Sequence, residues 1–148
     1  MSLKERLAEA MKEAMKAKES VRLGTIRMAL SAVKNKEIEA GGELDDAALI
    51  AVLSTLAKQR REAAEAYREG GRVELAEKED AELAVIQDFL PEPLSESELD
   101  EIIAAAVTES EATSMKDMGK VMKLVTVRTT GRADGRMVSE RVKARLSS

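Results

Sequence analysis

Apolar residues recur every three or four positions along nearly the whole chain, and no alternating segment competes strongly with that spacing. Such spacing places one face of an α-helix against a core, whereas a half-buried strand alternates apolar and polar residues. The abundant Leu, Ala, Glu, Lys, Arg and Met are also good helix formers. The sequence therefore predicts an all-α fold.

The two prolines divide the predicted helices into two groups. Pro91 and Pro93 are the only prolines, and at this separation they disfavour a continuous helix. We predict a four-helix N-terminal body over residues 1–92 and a small three-helix C-terminal module over residues 93–148.

Capping residues mark the starts of several helices. Ser95 with Glu98 predicts a capping box at the fifth helix, and Ser114 and Asp134 are expected to cap the sixth and seventh. Asp45 or Asp46 is expected to cap the third. The sixth helix is predicted to turn one stripe inward, made of Met115, Met118, Met122 and Val125.

Charge is distributed unevenly. From Lys116 to Ser148 there are nine Lys and Arg against three Asp and Glu, whereas residues 1–115 hold fifteen basic and twenty-five acidic residues. A basic segment on an acidic chain favours contact with an anion, nucleic acid included.

The chain has no Cys and no His, which removes whole classes of function. A disulfide, a thiol nucleophile and a Ser-His-Asp triad are excluded, and a catalytic zinc site is disfavoured. We expect no metal and no cofactor. No apolar segment approaches the roughly 20 residues of a membrane-spanning helix, and no signal-peptide core is recognisable. We expect a cytoplasmic protein with no membrane partner.

The loop Gly131-Arg-Ala-Asp-Gly-Arg136 allows two interpretations. In the first, the free backbone amides at a helix start and the guanidinium groups of Arg132 and Arg136 bind a phosphate. As a cap, however, Asp134 would occupy the same amides and leave an ordinary capped turn.

Arg60 lies on the apolar stripe of the third helix, and Arg27 follows Ile26 on the second. Each is either a ligand contact in a groove or a packed side chain whose head group reaches solvent or a carboxylate such as Glu82. The only aromatic residues, Tyr67 and Phe89, lie in the N-terminal body. Without a stacking platform in the basic segment, RNA would be bound as a folded molecule through its backbone and shape.

Several motifs, in this order and spacing, resemble those of the GatB/YqeY family, most closely its stand-alone YqeY-like members. They extend over essentially the whole chain: Arg22-Leu-Gly-Thr-Ile-Arg-Met28, Lys58-Gln-Arg-Arg61, Ala76-Glu-Lys-Glu79, Phe89-Leu-Pro91, Ser114-Met-Lys-Asp-Met-Gly-Lys-Val-Met122 and Gly131-Arg-Ala-Asp-Gly-Arg136.

The resemblance implies a relation to the C-terminal tail of the B subunit of the glutamine-dependent Asp/Glu-tRNA amidotransferase, which holds tRNA. The catalytic cradle and the amidase signature of that enzyme are absent here. The family is associated with carbon-nitrogen ligase activity that uses glutamine as the amido donor. Because the catalytic parts are missing, the resemblance implies a tRNA-binding accessory module without catalysis of its own. Its partners would be tRNA and either amidotransferase subunits or other proteins.

The resemblance also implies which residues contact tRNA. These are Lys120, Arg128, Arg132 and Arg136, with Lys123 as a neighbouring charge. One departure concerns the end of the sixth helix, where Thr126-Val-Arg128 replaces the Met-Pro-Lys common in the family.

Two other functions fit the same residues. The first is a protein-protein interaction module that binds no RNA and uses the Met-rich faces or the groove holding Arg60. The second is an independent amidotransferase-type enzyme, which is disfavoured because no nucleophile lies beside a base.

Overall fold

The computed structural model describes residues 1–147. Within that range the chain forms seven α-helices and one short 3₁₀ helix, with no β-strand. The all-α prediction is confirmed. The helices are α1 (Leu3–Ala17), α2 (Ser20–Ala40), α3 (Asp46–Glu69), α4 (Val73–Gln87), α5 (Glu96–Ser110), α6 (Met118–Thr129) and α7 (Gly135–Ser147), with the 3₁₀ helix at Met115–Asp117.

The chain divides into two compact units, which we call unit 1 (Met1–Leu90) and unit 2 (Pro91–Ser148). Unit 1 contains α1 to α4, and unit 2 contains α5 to α7. The division falls before Pro91, whereas the sequence prediction placed the boundary after Glu92. Each unit has its own hydrophobic core.

The core of unit 1 is almost entirely aliphatic. In it α1 packs on α2, α3 on α4, and α2 on α4. Its fully buried large side chains include Leu7, Ile26, Leu53 and Ile86. Burying one such side chain contributes about 1.5–3 kcal/mol, so the near absence of aromatic residues does not prevent a stable core.

A charged contact joins α1 to the end of α2. The Glu37 carboxylate accepts hydrogen bonds from the Lys4 ammonium at 3.0 and 3.1 Å and from the Leu44 backbone N–H at 3.0 Å. The Leu44 N–H and then the Lys4 hydrogen bond lower the pKa of Glu37. The same hydrogen bond raises the pKa of Lys4. Gly41, with a φ of 74°, ends α2 in the left-handed conformation that glycine adopts readily.

The core of unit 2 lies between α5 and α6 and between α6 and α7. Leu99 from α5, Val121 and Val125 from α6, and Val138 and Val142 from α7 are fully buried there. At the start of α5, Ser95 and Glu98 form the predicted capping box.

The start of the sixth helix differs from the prediction. Ser114 caps the 3₁₀ helix, through a capping box with Asp117, and α6 begins only at Met118. A 3₁₀ helix has three residues per turn, whereas an α-helix has 3.6. The inward-facing stripe predicted from Met115 onward therefore does not continue unbroken into α6. The buried residues of α6 are Val121, Val125 and Thr129, whereas Met118 and Met122 are partly buried and Met115 is 39% exposed.

Candidate nucleic-acid interface

Helix α6 carries three of the predicted contact residues, two on its outer side and one in its last turn. Val121, Val125 and Thr129 face the core at intervals of four residues. Lys120, Lys123 and Val127 lie on the opposite side and are exposed, as is Arg128 in the last turn. At 1.5 Å of rise per residue, the cations extend over about 12 Å. We call Lys120, Lys123, Val127 and Arg128 the α6 surface.

The cations of the α6 surface are available for a ligand. Among the described residues, the side chains of Lys123 and Arg128 form no ion pair. Lys120 lies near Asp117, whose carboxylate accepts a 2.9 Å hydrogen bond from the Thr113 backbone N–H. That hydrogen bond is the main cause of the lowered pKa of Asp117, and the Lys120 charge adds less. The Asp117 carboxylate therefore belongs mainly to the cap.

Arg132 has a different role from the α6 residues. Its Nε donates a 3.1 Å hydrogen bond to the Glu92 carbonyl, and its Nη2 lies 3.8 Å from a carboxylate oxygen of Glu98. Its own carbonyl accepts a 2.8 Å hydrogen bond from the Leu94 N–H. Arg132 thus holds the segment before α5 against the loop before α7.

The loop before α7 has the features of a capped turn. Asp134 accepts a hydrogen bond of 3.3 Å from the Arg136 backbone N–H. The carboxylate thus occupies an amide that a phosphate would need. The Arg136 side chain is exposed and lies 4.0 Å from Glu140, one helical turn away.

Sequence reasoning missed the role of Arg141 in unit 2. Its guanidinium lies 3.0 Å from Glu96 and 2.8 Å from Asp100, so it joins α7 to the first turns of α5. No local sequence pattern identifies this pairing, because the partners are about forty positions apart and meet only in the folded unit.

The basic segment therefore belongs to a unit that is not basic as a whole. From Pro91 onward there are nine Lys and Arg and ten Asp and Glu. The acidic residues concentrate in and around α5, whereas residues 118–133 contain no Asp or Glu. The positive charge of unit 2 is thus concentrated in the stretch of sequence that contains α6.

The two predicted groove contacts of unit 1 lie in unlike environments. Arg60 is only 15% exposed and lies between α3 and α4, with its Nε 3.6 Å from Glu79 and 3.3 Å from Glu82. The Nε makes no hydrogen bond, and Nη2 contacts the sulfur of Met28. The pairing with Glu82 that the sequence left open is present. Arg27, by contrast, is exposed on α2.

Comparison with known proteins agrees with the predicted resemblance. A model of the Yqey-like protein family matches residues 4–146, which is nearly the whole chain. The chain belongs to the YqeY-like family. The sequence motifs that suggested this assignment lie in α2, α3 and α4, in the segment after α4, in the 3₁₀ helix with α6, and in the loop before α7.

Relatives of this YqeY-like protein carry the name Altered inheritance of mitochondria protein 41, mitochondrial. The one from Lachancea thermotolerans is 40% identical over 106 residues, which cover 70% of this chain and 57% of the relative. The one from Vanderwaltozyma polyspora is 40% identical over 85 residues, covering 57% and 46%. The one from Pyrenophora tritici-repentis is 32% identical over 140 residues, covering 93% and 77%.

The YqeY-like chain spans about half the length of the first two relatives, 57% and 46% respectively. The names of these relatives place them in mitochondria and state no ligand or reaction. Within residues 1–147 no helix has the length and apolar character needed to cross a membrane.

Proposed function

We propose that this YqeY-like protein is a tRNA-binding accessory module that works with or beside the glutamine-dependent tRNA amidotransferase and performs no catalysis of its own. We expect it to act in the cytoplasm. Family resemblance supplies the substrate class and the partner enzyme, and the α6 surface supplies the contact.

The observation that carries the proposal is the set of exposed cations on α6. Lys120, Lys123 and Arg128 lie on one helix of a unit whose other arginines are largely held by its own acidic groups. Lysine and arginine side chains bind phosphate oxygens and release counterions from the RNA. Three such residues give only modest affinity, in the non-specific range of about 10⁻⁴–10⁻⁶ M at physiological salt.

The chemistry of the α6 surface favours recognition of the RNA backbone. Unit 2 contains no aromatic residue, so it offers no aromatic platform on which bases could stack. Phosphate contacts fix the position of an RNA without identifying its sequence. We therefore expect a preference for folded RNA over an unstructured single strand, with little dependence on base sequence.

The test is a titration of the full chain into labelled, folded tRNA at several salt concentrations, with a Lys120→Ala/Lys123→Ala variant beside it. If both lysines contact phosphates, the slope of log K against log salt falls by about 1–2. Alanine is a strong helix former, so α6 is expected to remain folded.

A matched control is Lys12→Ala/Lys16→Ala in α1, which removes the same charge from an exposed helix face that also carries Glu9 and Glu13. It should leave the slope unchanged. If both double variants weaken binding equally, net charge rather than the α6 surface is responsible. No tRNA binding by the unmodified protein would refute the proposed function.

A second function, binding of a protein partner without RNA, is favoured by a shallow groove between α2 and α3. Its volume is about 440 Å³, and its lining includes the apolar residues Ala40, Leu44, Ala48, Ala51 and Val52. A partner that survives nuclease treatment and is lost from an Ala51→Glu variant would support this function. Recovery of RNA alone would count against it.

A further inference from the structure

Unit 1 contains one helix segment whose charge differs from its surroundings. The unit has fifteen Lys and Arg and eighteen Asp and Glu. Residues 20–36 of α2 nevertheless contain four cations and no Asp or Glu. Of these four cations, the sequence predicted a contact role for Arg27 alone.

Two of the four cations share one exposed side of α2. Ile26, Ala29 and Val33 are buried, whereas Gly24, Arg27, Ser31 and Lys34 are exposed at helical spacing on the opposite side. We call these four exposed residues the α2 surface. Arg27 and Lys34 are seven residues apart, which separates them by about 10 Å along the helix axis.

The cations of the α2 surface have no acidic partner among residues 1–147. In the part of the chain that the structure describes, neither Arg27 nor Lys34 forms an ion pair. The other two cations of the segment are paired, Arg22 with Asp88 at 2.7 Å and Lys36 with Glu39 at 3.4 Å. The α2 surface therefore keeps its positive charge in the folded unit.

Gly24 provides an independent observation. A glycine inside a helix costs about 1 kcal/mol relative to alanine. A Cβ atom added at Gly24 would meet nothing within 4 Å, and its φ is not in the left-handed region. Neither packing nor backbone conformation within unit 1 thus explains this glycine. A glycine on an open helix face lets another molecule approach the backbone closely.

We infer that the α2 surface is a second contact for the RNA backbone, so that unit 1 and unit 2 each bind the same tRNA. This inference rests on the proposed function and extends it to a surface in the other unit. Arg27 and Lys34 bind phosphate oxygens, Ser31 donates its hydroxyl, and Gly24 leaves room for the sugar-phosphate chain.

The composition of the α2 surface favours RNA over a protein partner. Protein interfaces depend on a few large buried anchors, especially Trp, Tyr and Arg packed in pockets. The α2 surface consists of one glycine, one serine and two separated cations, and the exposed large apolar residues of α2, Val21 and Ile38, lie beyond its two ends. Phosphate contacts use Arg, Lys and Ser side chains of this kind.

Two weak contacts on one chain also explain how modest surfaces could hold tRNA. When a second site is linked to the first, its binding becomes intramolecular, and the overall affinity can exceed that of either site by a factor of about 10²–10⁴. Loss of either surface should therefore weaken binding by much more than the loss of one isolated contact.

The experiment compares two α2 variants of the full chain in the same salt-dependent tRNA titration. Arg27→Ala/Lys34→Ala should lower the salt slope by about 1–2 and weaken binding at least tenfold. Gly24→Gln should raise the melting temperature, because it removes a helix glycine, and yet weaken tRNA binding. A purely structural role of Gly24 would not produce that combination. Lys12→Ala/Lys16→Ala is again the matched charge control.

The outcomes separate the two proposals. If the α6 variant loses affinity and both α2 variants bind like the unmodified protein, the α2 surface is not an RNA contact and the proposed function stands. If only the α2 variants lose affinity, the α2 surface is an RNA contact, but the α6 surface was wrongly assigned and the contact through both units is refuted. If the protein binds no tRNA, both fail. If the control weakens binding as much as Arg27→Ala/Lys34→Ala, and Gly24→Gln has no effect, the inference fails.

Discussion

Unit 1 mixes acidic and basic side chains along α1, α3 and α4, whereas unit 2 separates them, with acidic residues around α5 and basic residues from Lys116 onward. In unit 1 one arginine is enclosed between two helices and two carboxylates. In unit 2 the arginines join basic helices to the acidic start of α5 across the unit's surface.

This difference shows how charge along a chain relates to charge on a surface. The strongly basic C-terminal segment folds against an acidic helix, so much of its arginine charge is balanced locally. The acidic N-terminal part contains an exposed helix side that is only basic. Partner surfaces are therefore better predicted from exposed, unpaired cations than from the net charge of a segment.

The largest expected effect tests whether the two units are stabilised separately. Leu53 is fully buried in unit 1. Replacing a buried leucine by alanine costs about 2–5 kcal/mol, so Leu53→Ala should sharply reduce hydrogen-exchange protection in α1 to α4. Protection in α5 to α7 should be unchanged, because their core is separate. Equal loss in both units would show a single cooperative structure.

The next effect contrasts the arginines of the two units. Arg60→Ala leaves the mostly buried carboxylates of Glu79 and Glu82 without their cation. The loss should destabilise unit 1 by about 2–3 kcal/mol, somewhat less than the roughly 3–5 kcal/mol for removing one partner of a fully buried ion pair. Arg141→Ala in unit 2 breaks pairs with exposed acids, 82% and 60% accessible, and should cost at most about 1 kcal/mol.

Urea denaturation followed by unit-specific hydrogen exchange measures both effects. Arg68→Ala provides a control within unit 1, because Arg68 also joins α3 to α4 through Asp80 but is 50% exposed. A cost for Arg68→Ala as large as that for Arg60→Ala would mean that burial does not set the difference.

A smaller effect is expected at Arg132. Arg132→Ala removes the hydrogen bond to the Glu92 carbonyl, which is worth about 1 kcal/mol. The segment before α5 should then exchange its amide hydrogens and be cleaved by proteases faster, while α6 and α7 keep their helicity. Arg136→Ala, four residues later, should not change cleavage there. Unchanged protection of residues 91–95 in Arg132→Ala would contradict the anchoring role.

The smallest expected effect is on the stability of each unit at acidic pH. Glu37 in unit 1 and Asp117 in unit 2 both have a lowered pKa, chiefly because each accepts a hydrogen bond from a backbone N–H. Their stabilising contributions are therefore complete above the ordinary values of 4.5 and 3.8 and are lost as the pH falls through the lower folded values. Glu37→Gln should reduce the acid sensitivity of unit 1 only, and Asp117→Asn that of unit 2 only, in urea midpoints measured between neutral pH and pH 3.

Helices and their ends could be predicted from the sequence because they depend on nearby residues. The capping box of Ser95 and Glu98 has the predicted form. The start of α6 was predicted wrongly, since Ser114 is followed by a 3₁₀ helix and not by α-helix. Nothing in the periodicity of three or four residues distinguishes the two over a single turn.

The candidate site was predictable only in part. The exposed position of Lys120 and Lys123 follows from the stripe of α6, because they lie opposite its buried residues. The engagement of Arg132 with Glu92 and of Arg141 with α5 does not follow from spacing, since each joins positions about forty residues apart.

By itself the sequence determined that the chain is helical, where most helices begin and end, and to which family it belongs. These properties depend on interactions within a few turns of helix or on motifs in order along the chain. The tertiary structure alone decided which cations pair with acids distant in sequence: it enclosed Arg60, engaged Arg132 and Arg141, and left Arg27, Lys34, Lys123 and Arg128 without acidic partners among the described residues. The reason is that an ion pair requires two side chains within about 4 Å, and only folding brings distant segments that close.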